Sequence, residues 1–122
     1  MWLLAAIGYG CAFDLADINY SPTTFQDADK SEQSFTLTKK VSLKDTPCWY
    51  LRELQPLIRW QLVGSVAQGD VFRSKNQTLT LECSNIYEAY LVVREGYLVG
   101  FYLPVQQGFV KLAEPVHLPL KQ

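Results

Sequence analysis

The stretch 86-IYEAYLVV-93, followed by 97-YLVGFYL-103 and 109-FVKL-112, decides the fold. Successive side chains of a strand point to opposite faces. In the first run Tyr87, Ala89, Leu91 and Val93 fall on one side, and Tyr90 and Val92 on the other. In the second, Val99 and Phe101 oppose Leu98 and Tyr102. Glu95-Gly96 and Gln106 to Gly108 separate the runs, and glycine at 96 and 108 supplies the positive φ that tight turns commonly require. The pattern predicts a three-stranded antiparallel meander that is apolar on both faces. One face must fill the core, which leaves tyrosine and apolar groups on the other. Tyrosine contributes contact area while its hydroxyl stays wet, so such a face suits a protein interface. Tyr87, Tyr90, Tyr97 and Tyr102 are therefore the candidate partner-binding residues. The alternative is that both faces are covered within the fold.

Working upstream, 34-SFTLTKKVSL-43 sets Phe35, Leu37, Lys39, Val41 and Leu43 against Thr36, Thr38, Lys40 and Ser42, a strand whose apolar face Lys39 interrupts. In 46-TPCWYLREL-54, Thr46 can cap a helix with Pro47 at its first position, and Cys48, Leu51 and Leu54 share a face. A short helix stopped by Pro56 is expected. Alternation returns in 57-LIRWQLVGSV-66, with Ile58, Trp60, Leu62 and Val66 on one side. Gly69-Asp70 marks a bend, and 74-SKNQ-77 is a hairpin turn into 78-TLTLEC-83, whose Leu79, Leu81 and Cys83 point together. The expected fold class is mainly β: a small antiparallel barrel or sandwich of about seven strands with one short helix. In architecture it resembles SH3-like barrels. The aromatic ligand-groove motifs of eukaryotic SH3 domains are absent, so no function is carried across.

The chain opens MWLLAAIGYGC, ten uncharged residues and then Cys11. The run is too short for a bilayer, which needs about 20 apolar residues, but a signal-peptide core needs only about 7 to 15. Gly10-Cys11 resembles the cleavage box of bacterial lipoproteins, which implies lipidation of Cys11. The pattern departs from that box at Gly8, where leucine is usual, at the bulky Tyr9, and in having no basic residue after Met1. The following 13-FDLADINYSPTTFQDADKSEQS-34 is polar and acidic, as a tether would be. The expected organisation is a leader over 1–11, an acidic tether over 12–33 and one β-rich domain over 34–122. A core strand or helix in the mature protein, with a cytoplasmic location, and a membrane-surface anchor are the competing readings of the leader.

Cys48 and Cys83 remain, 35 positions apart. In an oxidising envelope such a pair is a disulfide candidate; in a reducing cytosol both are buried thiols acting as small hydrophobes. Neither sits in a metal-binding spacing.

Length and composition narrow the function. The 122 residues fit one domain, and 48% apolar with 19% charged residues suffices for a core. A net charge of −1 without a basic stripe leaves no electrostatic footprint for nucleic acid. Five acidic residues between Asp14 and Glu32 face only Lys30, while Lys39, Lys40, Lys44, Arg52 and Arg59 dominate the following stretch. Both patterns suit solvated surface. The single histidine, His117, lies between Pro115 and Pro119 with no serine or cysteine nucleophile motif to pair with it. Glu82 and Glu88 could flank a cleft as paired carboxylates, or serve as solvated strand-face residues. No phosphate-loop, dinucleotide, zinc-protease or calcium-loop motif occurs.

No catalytic residue, metal ligand or cofactor is assigned. The expectation is a non-enzymatic, exported, lipid-anchored bacterial envelope protein of the periplasm or outer membrane that binds a protein partner, as an accessory or assembly factor. An inhibitor or immunity protein blocking an enzyme is the alternative, and a small barrel holding an apolar ligand a further one.

Overall fold

The structure, a computed structural model, describes residues 18–29, 31–43, 53–75 and 78–121. The expected leader and most of the expected helix lie outside these residues, as do Cys11 and Cys48. The described part is mainly β and entirely antiparallel in its pairings. Its strands are β1 (Ser21–Pro22), β2 (Gln26–Asp27), β3 (Ser34–Leu37), β4 (Val41–Ser42), β5 (Glu53–Leu54), β6 (Trp60–Val66) and β7 (Gly69–Ser74). They continue with β8 (Thr80–Glu82), β9 (Ile86–Glu88), β10 (Tyr90–Arg94), β11 (Tyr97–Leu103), β12 (Gly108–His117) and β13 (Leu120–Lys121). Residues 53–54, the expected last turn of the helix, instead form β5, paired with Val41–Ser42.

The meander stands as β10, β11 and β12, with Tyr90 opposite Tyr102 and Phe101 opposite Val110. Glu95 and Gly96 both have positive φ, 52° and 84°, the signature of a type I′ two-residue hairpin. The second turn is made differently. Gln107, at φ 55°, takes the left-handed conformation that glycine was expected to supply. Gly108 is needed for space, since a Cβ there would lie 2.2 Å from the Tyr20 ring.

The main sheet runs β13-β3-β6-β7-β10-β11-β12-β1, and β2 also pairs with β6. Two segments share the outer edge of β6: Asp27 sits opposite Gly64 and Phe35 opposite Trp60. The Ala28 N–H donates to the Val63 carbonyl and the Leu62 N–H to the Gln33 carbonyl. Part of the stretch expected to be a tether is therefore sheet, and Ile18 is buried in the core. The folded body begins no later than Ile18, because Ile18 and Phe25 bring apolar surface that a solvated tether would leave in water.

Residues 118–119 join β12 to β13, six strand spacings apart in the sheet order. In a flat sheet that separation would be about 29 Å, far beyond the roughly 10 Å that the linking residues can span. The sheet must therefore curl. The Leu118 N–H donates to the Gly96 carbonyl, while the Pro119 carbonyl accepts from the Thr38 N–H and hydroxyl. No ladder joins the two ends among the described residues, so the sheet is curled but not a closed barrel.

Two glycine-marked irregularities set which side chains go inward. The tripeptide Leu-Val-Gly occurs at 62–64 and again at 98–100, and at each the register slips by one residue. A bulge re-phases the alternation. Leu98 and Phe101 thus share the main core, although strict alternation put them on opposite sides. Trp60 and Leu62 likewise stay with the main core while Val66 moves to the other face. At Gly64 a Cβ would lie 2.3 Å from the Gln26 carbonyl and the Phe25 ring, and at Gly100 2.1 Å from the Val110 carbonyl.

The main core holds Phe35, Trp60, Leu91, Leu98, Phe101 and Leu118. Two small ribbons, β4–β5 and β8–β9, add Val41, Leu54, Leu81 and Tyr87 to it. The other face of the sheet carries Val66, Val71, Val92, Tyr102 and Phe109, with Phe25 packed over them.

Candidate functional site

The four candidate tyrosines do not form one surface. Tyr87 is 8% exposed and belongs to the main core. Tyr102, 4% exposed, lies on the opposite face under Phe25, the rings stacked at 5.1 Å and 17°. Tyr90 is half-buried beside it, with ring centroids 6.3 Å apart. Tyr97 is 43% exposed at the start of β11, edge-on to His117 at 5.3 Å. Much of the second face is thus covered from within the chain by residues 20–28. Burial pushes the Tyr102 phenol above its ordinary value of 10.0, and the neighbouring Tyr90 adds to the rise, since a phenolate there would be poorly solvated. Tyr90 and Tyr102 line a shallow depression of about 510 Å³ that also includes Phe25, Asp27, Gln61 and Arg73.

Cys83 packs against the main core, as its strand pattern predicted. Cys48 lies outside the described residues, so a Cys48–Cys83 pairing stands as a proposal. Glu82 and Glu88 lie on the same face of the β8–β9 ribbon but at its two ends, opposite Ile86 and Thr80 respectively. Glu82, and not Glu88, lines the 280 Å³ groove described next. No cluster of three or more metal-ligating side chains occurs among the described residues, and no helix among them is long and apolar enough to cross a membrane.

A second groove, of about 280 Å³, lies between the two ribbons. Leu54, Ile58, Trp60 and Leu79 give it apolar walls, and Glu53 and Glu82 bring carboxylates to its rim. Consecutive residues, Glu53, Leu54 and Gln55 on one side and Thr78, Leu79 and Thr80 on the other, all border it. Within β8 the lining residues are Thr80 and Glu82 but not the buried Leu81, so the groove meets the outward face of that strand. Two aliphatic side chains flank it. Leu57, between lining residues 55 and 58, is 92% exposed; Ile86, the cross-strand partner of Glu82, is 69% exposed. The indole N–H of Trp60, a residue only 1% exposed, is buried and has no hydrogen-bond partner among the described residues.

Sequence reasoning missed Leu57, Ile86 and Trp60 as site residues. Ile86 was legible, because alternation from Tyr87 places it on the face away from the core. Leu57 follows Pro56 in a turn and carries no periodic signal. No protein-family model matches the chain, and neither a curated protein nor a solved structure matches it.

Proposed function

We propose that this chain is a non-enzymatic, exported protein, anchored by lipid at Cys11 in a bacterial envelope, whose task is to bind another protein. The observation that carries the binding reading is a groove with apolar walls and two exposed aliphatic residues next to its lining: Leu57, between lining residues 55 and 58, and Ile86, the cross-strand partner of Glu82. Isolated exposed aliphatics are ordinary, but aliphatics gathered beside a concave apolar site are what interfaces use. This reading moves the partner surface from the tyrosines to the ribbons. The envelope location rests on the uncharged leader, on the partial resemblance of Gly10-Cys11 to a lipoprotein cleavage box, and on the suitability of Cys48 and Cys83 for a bridge in an oxidising compartment.

The test compares wild-type protein, solubilised from membranes, with a Leu57→Ser/Ile86→Ser double variant. Both side chains are exposed, so the variant keeps the wild-type Tm. Wild type retains a stoichiometric partner and the variant loses it. Equal retention by both would defeat the reading.

A further inference from the structure

We infer that the depression between the Asp27–Asp29 turn and the second face of the sheet binds an acidic sugar, whose carboxylate is held by Arg73 and by the Tyr102 hydroxyl. The site is separate from the groove assigned to a protein partner, since the two share no lining residue.

Strand register builds its floor. Gln61 stands opposite Arg73 and Tyr90 opposite Tyr102, while Leu91 opposite Phe72 brings Tyr90 level with Arg73. Directly opposed residues share a face, so Gln61, Arg73, Tyr90 and Tyr102 form one row across four neighbouring strands, about 14 Å long at the usual strand spacing. Every one of these side chains can donate hydrogen bonds. The wall comes from the edge of β6. Asp27 is opposite Gly64 and Ser34 opposite Gln61, so residues 28–33 stand against only Leu62 and Val63 and must bow away from the ladder. The Gln61 amide fixes this segment by donating to the Ser31 carbonyl at 2.8 Å, and the Asp29 N–H donates to the Asp27 carboxylate at 2.8 Å.

Unused bonding capacity points to a ligand. Tyr102 is 4% exposed, yet its hydroxyl makes no hydrogen bond among the described residues and is not enclosed, so it opens into the depression that Tyr102 lines. Its phenol, pushed above the ordinary value, keeps its proton at neutral pH and can donate. Arg73 lines the same depression, and among the described residues its guanidinium has no ion pair, not even with Asp27 or Asp29. A planar guanidinium matches the two oxygens of a carboxylate. The Asp27 and Asp29 carboxylates, also in the lining, accept hydrogen bonds from sugar hydroxyls and repel a polyanion. The half-buried Phe25 and Tyr90 rings offer apolar area to the C–H face of a pyranose. The volume, about 510 Å³, lies within the range of small-molecule clefts, roughly 300 to 1,000 Å³.

Protein-observed NMR titration of the full chain tests this with glucuronate, glucose and alanine as probes. Glucuronate is expected to shift the backbone resonances of Arg73, Tyr90 and Tyr102 saturably. Glucose, without the carboxylate, and alanine, without the ring hydroxyls, are each expected to bind at least about tenfold more weakly. Arg73→Gln, at an exposed position, and Tyr102→Phe, which keeps the ring against Phe25, should each weaken glucuronate binding about tenfold at unchanged Tm. Equal affinity for glucose and glucuronate would overturn the role of the carboxylate, and alanine binding as tightly as glucuronate would overturn the sugar. No saturable shift with glucuronate, or wild-type affinity in Arg73→Gln, would overturn the site itself.

Discussion

At the scale of single residues, glycine and tyrosine carry the most information. Gly100 leaves room for the Val110 carbonyl, and a methyl group there would sit 2.1 Å from that oxygen. Because the obstacle is backbone rather than a movable side-chain end, Gly100→Ala should destabilise by about 2 to 3 kcal/mol, an overpacking cost, measured by urea denaturation. Tyr102 gives a pH signature. Its phenol is raised in the folded state by burial and by Tyr90. The folded chain therefore holds this proton more tightly than the unfolded chain does. The contribution is complete below the ordinary phenol pKa of 10.0 and is lost as pH rises through the elevated folded value. Stability followed by denaturant titration should fall in that alkaline window, and Tyr102→Phe, which keeps the ring over Phe25, should reduce the slope. A wild-type slope in the opposite direction would contradict the assignment.

At the scale of elements, the alternation of apolar and polar residues was sufficient to place the meander and to put Leu81, Leu91 and Val93 in the main core. Its failures have one physical origin. Period two holds only while a strand stays in register, and the slips at the two Leu-Val-Gly tripeptides move Phe101 and Val66 to faces that unbroken alternation does not give them. Of the candidate site, Ile86 was readable from its neighbours. The groove was not, since it arises where two ribbons from distant parts of the chain meet. The same scale holds the bridge. If Cys48 and Cys83 are joined, the oxidised native protein should resist thiol labelling at both positions until reductant is added. Cys48→Ser should then cost roughly 3 to 4 kcal/mol on the chain-entropy relation. Prompt labelling of both in the unreduced protein would refute the pairing.

At the scale of the whole molecule, the curled sheet explains how a short chain buries a core and still offers an open groove. The link through Leu118 and Pro119 draws the far ends of the sheet together, while the ribbons add to the core without extending the sheet. Residues 20–28 cover much of the second face, so the sequence pattern that marked tyrosines as a partner surface has an internal explanation. Intact mass of protein extracted from membranes addresses export: cleavage before Cys11 with added acyl mass is expected, and an unmodified chain in the cytosol would refute it.

The most direct measurement of the partner claim is site-specific photo-crosslinking in the producing cell. A photoreactive residue is placed in turn at Leu57, at Ile86, and at Val105, which is 76% exposed and, unlike the other two, is neither next to nor paired with a residue of the groove. The account predicts one protein adduct from Leu57 and Ile86 and none from Val105. Adducts from all three positions alike, or from none, would contradict it.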